Sequence, residues 1–290
     1  MPDLDKEEYV EQVYFFRTLC ERMGKAESTQ DLLESVRDEV LATTKLPLAI
    51  DFLASELRHA GVFSTAMAKM PHYFAPFQTF VIGEAENELG RFDMRIALEI
   101  LRREAKYRAK GATPQGVFLY QFETLCHNRL GYDEGLAAVA EDACFDAAWR
   151  DWILTVRRQV GIIDFADMVY VRSAHYAQRK SRHGTSGPDD SREAASAKPI
   201  LFGEKEGRIA AANRGKDPPL LFSALQRQLG YPKVPRPATM DQTADLLPAL
   251  MRRMERVETR LKLLEEEQKG GIDLARFYGP KSPPQGNEGS

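Results

Sequence analysis

The sequence predicts an all-α protein: an array of antiparallel helical hairpins, either an irregular α-solenoid or a bundle, followed by a short C-terminal coiled-coil helix. Three observations predict it. Apolar residues recur at three- and four-residue steps through the first 180 positions. No useful stretch alternates with period two, and the periodic segments are joined by short links, which makes successive helices antiparallel neighbours.

The first helix is predicted over Leu4 to Met23, where Tyr9, Val10, Val13, Tyr14, Phe16, Leu19 and Cys20 fall on one face and Gly24 closes it. Ser28 or Thr29 caps a second helix reaching Leu41, and Thr44 with Pro47 opens a third that runs to His59 and stops at Gly61. A shorter segment extends to Met70. Phe74, Phe77, Phe80, Val81 and Ile82 begin a helix ending at Leu89-Gly90, and Phe92 to Lys110 makes the next, closed by Gly111. Thr113-Pro114 restarts the chain toward Leu130-Gly131, and Tyr132 to Ala143 pairs with that helix. Asp146 to Gln159 and Asp164 to Lys180 complete the set around Gly161.

Three junctions share a chemistry. Leu89-Gly90, Leu130-Gly131 and Val160-Gly161 each place a glycine at a helix end, with Phe92, Tyr132 or Phe165 opening the next helix. Leu130-Gly131-Tyr132-Asp133-Glu134-Gly135-Leu136-Ala137-Ala138 in particular resembles the tetratricopeptide family, in which helix pairs turn at a glycine before an aromatic residue and an alanine-rich second helix. Leu89-Gly90-Arg91-Phe92, leading into Ala97-Leu98-Glu99-Ile100-Leu101, is similar. The resemblance covers at most residues 74–180 and implies a helical repeat. The glycine spacings of 41 and 30 depart from that family's period of about 34, and a bundle reusing the same turn chemistry is the other reading.

The hairpin domain is expected to span residues 1–180. After it, Ser181 to Lys198 is rich in Ser, Gly, Asp and charge, and residues 181–217 are expected to form a flexible basic linker in which Pro199-Ile200-Leu201-Phe202 is a small apolar plug. A short amphipathic helix is predicted over 218–231 through Leu221, Phe222, Leu225 and Leu229. A proline-rich extended spacer is predicted over 232–242.

The most regular pattern lies in the predicted helix 243–269. Leu247, Leu250, Met254, Val257, Leu261 and Leu264 alternate by three and four, the seam of a coiled coil. With Leu247 at an a position, Arg253 and Arg260 take g sites opposite Glu258 and Glu265 at the following e sites, a complementary set between parallel chains; Met251 and Glu267 fill the remaining e and g sites. So short a helix is marginal alone, so the seam is expected either to form a homodimer through 247–264 or to fold back on its own domain. In the tail 270–290, expected to be mostly disordered, Ile272, Leu274, Phe277 and Tyr278 make an apolar island that reads either as a peptide ligand or as packing on the body.

Composition narrows the function classes. The 290 residues are 43% hydrophobic and 29% charged, with a net charge of −3, values of a globular domain with its own core. No apolar run approaches the ~20 residues of a membrane span. Met1 to Glu11 carries five acids where an export signal would be basic and apolar, and Cys20, Cys126 and Cys144 lack metal or redox spacing. A cytoplasmic protein with no membrane partner is expected.

Chemistry leaves fewer traces. No phosphate-binding, dinucleotide-binding, zinc-protease or serine-hydrolase motif occurs, so no catalytic residue and no cofactor is predicted. Cys126 and His127 adjoin on a helix but point about 100° apart, which excludes a nucleophile–base pair between them. Glu56 and His59 have the Glu-x-x-His spacing of helical metal sites, and Glu84, Glu123 and His127 are the candidates to complete one. The basic segment 172–216 holds ten bases against five acids; Arg172, Arg179, Lys180, Arg182, Lys205, Arg208, Arg214 and Lys216 are candidate phosphate contacts, with Tyr176 and Phe202 for stacking.

These patterns together imply a non-catalytic scaffold or adaptor whose helical array presents a concave surface to a protein partner of unknown identity and whose C-terminal helix mediates self-association. A nucleic-acid- or ribosome-associated protein using 172–216 is the first alternative. A helical metalloenzyme is the second.

Overall fold

A computed structural model describes residues 4–23, 29–87, 92–182 and 199–236. Among them run thirteen helices and no strand: α1 (Lys6–Arg22), α2 (Thr29–Glu39), α3 (Leu46–Ala60), α4 (Phe63–Ala68), α5 (Pro76–Glu86), α6 (Met94–Arg108), α7 (Pro114–Asn128), α8 (Tyr132–Ala140), α9 (Ala147–Gln159), α10 (Phe165–Val171), α11 (Ala174–Arg182), α12 (Glu204–Ala212) and α13 (Pro218–Leu229). The fold is all-α. No helix among the described residues is long and apolar enough to cross a membrane.

Local chemistry explains where these helices begin. The side chains of Asp93, Thr113, Asp146 and Asp164 accept hydrogen bonds from the first-turn amides of α6, α7, α9 and α10. Prolines occupy the first turns of α3, α5, α7 and α13, where no amide donor is lost from the ladder. The glycine expected to stop α7 does something else. Arg129 takes the left-handed conformation (φ 56°), and Gly131, at φ −59°, precedes the first residue of α8. The similar Leu89-Gly90-Arg91 junction lies outside the described residues.

Helix α7 is central: every residue from Gly116 to Leu125 is buried, as befits a helix apolar almost all round. Helix α1 packs most extensively on α6, far along the chain, while a solenoid unit touches only its sequence neighbours. Two acids of α1 serve a different contact. Glu11 accepts the Leu41 amide at 2.9 Å, and Glu8 accepts the Lys45 amide at 2.8 Å and the Tyr73 hydroxyl at 3.0 Å, so two buried carboxylates hold the link between α2 and α3.

Two differences from the expected organisation share one cause. Residues 181–217 were to be a flexible linker, yet Glu204–Ala212 is helical and Leu201, Phe202 and Ala210 are buried. Phe202 stands edge-on to Trp149 and Trp152, with ring centroids 5.3 and 5.2 Å away. The same segment breaks the helix expected over Asp164 to Lys180. The amides of Leu201 and Phe202 donate to the Arg172 carbonyl, the Ala174 amide donates to the Phe202 carbonyl, and a bridge pairs Ser173 with Phe202. One large aromatic ring and three backbone hydrogen bonds outweigh the polar composition around them. Beyond Phe202, α12 is drawn against α11 so closely that a methyl group on Gly207 would lie 2.3 Å from Ser173 Oγ and 2.7 Å from His175 Cβ.

Candidate functional site

Charge gathers in one buried place and one open place, beside surface ion pairs such as those of Arg37 and Arg58. The first is buried, where α6 and α7 meet the turn after α8. Arg108 on α6 donates to Glu104 Oε1 at 2.8 Å and to Asp142 through both terminal nitrogens, and Gln121 on α7 donates to Glu104 Oε1 at 2.8 Å and to Asp142 Oδ2 at 3.1 Å. Glu104, Asp142 and Gln121 are essentially inaccessible to solvent, and Arg108 is exposed only at the floor of a cleft of about 230 Å³ bounded by Tyr9, Gln12, Tyr73 and Gln78.

One cation therefore faces two carboxylates, and their environments separate them. Burial, reinforced by the Asp142 charge, raises the Glu104 carboxyl above its ordinary value against the pull of Arg108. Burial also acts to raise Asp142, but the charge and hydrogen bonds of Arg108 and the Cys144 amide outweigh it and hold that carboxyl low. Two acceptor atoms, Glu104 Oε2 and Gln121 Oε1, have no hydrogen-bond partner among the described residues. Arg108 is fully engaged by its neighbours, and the group closes on itself as a clamp between helices.

The second place is open. After α13, Gly230 turns the chain in the left-handed conformation (φ 69°), and residues 231–236 run without regular secondary structure across α6 and α7. Tyr231 is buried and donates to Glu123 Oε2 at 2.8 Å, the Lys233 carbonyl accepts from Arg103 Nη1 at 2.7 Å, and the Pro235 carbonyl accepts from Asn128 Nδ2 at 3.2 Å. Arg236 Nη2 lies 2.9 Å from His127 Nε2. A guanidinium only donates, so Nε2 is the acceptor in this contact, and Nδ1 lies 3.1 Å from Glu123 Oε1 without making a hydrogen bond to it.

Between this segment and α6 lies a groove of about 510 Å³ lined by Arg95, Ile96, Glu99, Arg103, Lys233, Val234, Pro235 and Arg236. Its one acid is already occupied: Glu99 accepts from Arg102 at 2.6 Å and from Arg103 at 2.7 Å. Arg95, Lys233 and Arg236 are exposed, and no described carboxylate pairs with them. Neither place is legible in the sequence. Glu104 and Arg108 look like an ordinary surface pair four apart on a helix, and Lys233 and Arg236 look like solvated charge on a spacer.

The predicted site residues fare unevenly. Glu123 and His127 meet as described, but Glu56 pairs with Lys69 on the segment after α4 and His59 is exposed. Among the described residues no three His, Cys, Asp or Glu side chains gather as a metal site would require. In the basic segment Arg172 is buried, Arg208 pairs with Glu204, and Arg214 pairs with Asp167 over the Tyr170 ring. Phe202, expected to be available for stacking, is inaccessible between the two tryptophans. The coiled-coil seam 247–264 and the island Ile272 to Tyr278 lie outside the described residues.

No protein-family model, no curated protein and no solved structure matches the chain.

Proposed function

We propose that the protein is a non-catalytic interaction module, an adaptor that docks a protein partner in the groove between α6 and residues 231–236 and self-associates through Leu247 to Leu264. The observation that carries the docking half is the groove itself, where three exposed cations stand without carboxylate partners among the described residues, above a floor containing Ile96, Val234 and Pro235. The heptad spacing with complementary Arg253, Arg260, Glu258 and Glu265 supports the self-association half.

Affinity capture with the full chain and with its Lys233→Glu/Arg236→Glu variant, read by mass spectrometry, tests docking. Proteins retained by the first and lost by the second are the expected result; identical sets from both remove the groove from the reading. Sedimentation of the full chain beside a Leu250→Glu/Leu261→Glu variant tests the seam, and equal monomeric masses would end the self-association claim. A nucleic-acid role draws less support, because Arg172, Arg208, Arg214 and Phe202 are committed within the fold.

A further inference from the structure

We infer that the groove between α6 and residues 231–236 recognises an acidic linear peptide carrying an apolar side chain among its carboxylates. The inference rests on the interaction-module reading and names the chemistry of the partner. Arg95, Glu99, Arg103 and Lys106 succeed one another at three- and four-residue steps, so they share one face along α6, and Glu99 is the only acid among them. Glu99 is held by Arg102 and Arg103 and makes no ion pair with Arg95, and Lys233 and Arg236 line the opposite wall. An anionic ligand is what such a pair of walls lacks.

Three features favour a peptide over a nucleic acid. The lining from Arg95 to Arg103 covers two turns of α6, roughly 12 Å, which matches about four residues of extended chain. No aromatic side chain lines the groove, whereas single-stranded nucleic acids are held by stacking bases on such rings. The lining instead includes Ile96, Val234 and Pro235, which suit an aliphatic side chain.

The test is fluorescence anisotropy of the full chain with labelled Glu-Asp-Leu-Asp-Glu, its uncharged counterpart Gln-Asn-Leu-Asn-Gln, and a ten-residue thymidine oligonucleotide. Saturable binding of the acidic peptide is expected, with about tenfold weaker binding in Lys233→Glu/Arg236→Glu and no change in Lys205→Glu, an exposed cation outside the groove. Replacing the peptide leucine by serine is expected to weaken binding about tenfold. Circular dichroism confirms that the variants are folded. Equal binding of the charged and uncharged peptides, tighter binding of the oligonucleotide, or indifference to the charge reversal overturns the inference. Should the peptide fail while Lys233→Glu/Arg236→Glu still loses captured proteins, the interaction module stands and only the acidic peptide falls.

Discussion

Arg108 donates to both carboxylate oxygens of Asp142, 34 positions further along the chain, in a place from which water is almost wholly excluded. That pair ties α6 to the turn before α9, and Glu104 and Gln121 share it. Removing one partner of a buried ion pair leaves a charge without compensation.

Asp142→Asn is therefore expected to destabilise the protein by about 3–5 kcal/mol. Glu104→Gln is expected to cost no more than ~1 kcal/mol, because its amide still accepts from Arg108 and gains a donor while Gln121 Oε1 lacks a partner. Urea denaturation of both variants at neutral pH checks the contrast. Equal losses would mean that Glu104 carries its charge as Asp142 does.

The same pair predicts opposite pH dependences. The Glu104 carboxyl is raised in the folded state, so its stabilising contribution is complete below the unfolded carboxylate value of about 4.3 and is lost as pH rises through the folded value. The Asp142 carboxyl is lowered, so its contribution is present above about 3.9 and is lost as pH falls through the folded value. Melting temperatures from pH 3 to 9 should show Glu104→Gln removing the loss on the alkaline side and Asp142→Asn removing that on the acid side.

Phe202→Ala is expected to cost about 3–5 kcal/mol and to change the intrinsic fluorescence of the native state. The chain has two tryptophans, Trp149 and Trp152, and Phe202 touches both. Denaturation followed by tryptophan emission reads both effects. An unchanged native spectrum would show that residues 199–202 do not occupy this position in solution.

Gly207→Ala is expected to destabilise by about 1–3 kcal/mol, since a β-carbon there collides with Ser173 and His175 on the neighbouring segment. Combining it with Ser173→Gly removes the closest contact and should recover part of the loss. Thermal melts of the single and double variants decide it.

Alkylation gives a last check. Burial, opposed by the Tyr132 hydroxyl, raises the Cys126 thiol to about 11. At pH 7.5 its thiolate fraction falls roughly 100-fold below that of an ordinary thiol, and iodoacetamide labelling of the native protein should slow accordingly. Labelling at the rate of the unfolded chain would contradict the burial of Cys126.

The sequence by itself determined most of the helices before residue 160, because their signals are local. Apolar spacing, a capping aspartate such as Asp146 and a first-turn proline such as Pro114 each act within a few residues, and all three are readable in order. Tertiary structure alone decided which polar residues left water. Glu8 and Glu104 look no different from any surface acid in the chain, yet one closes the link before α3 and the other shares a buried clamp. It also decided that Phe202 joins the core and breaks a helix about 30 residues before it, and that Lys233 and Arg236 form a wall opposite Arg95. Burial and charge pairing depend on partners distant in sequence, and periodicity carries no record of those distances.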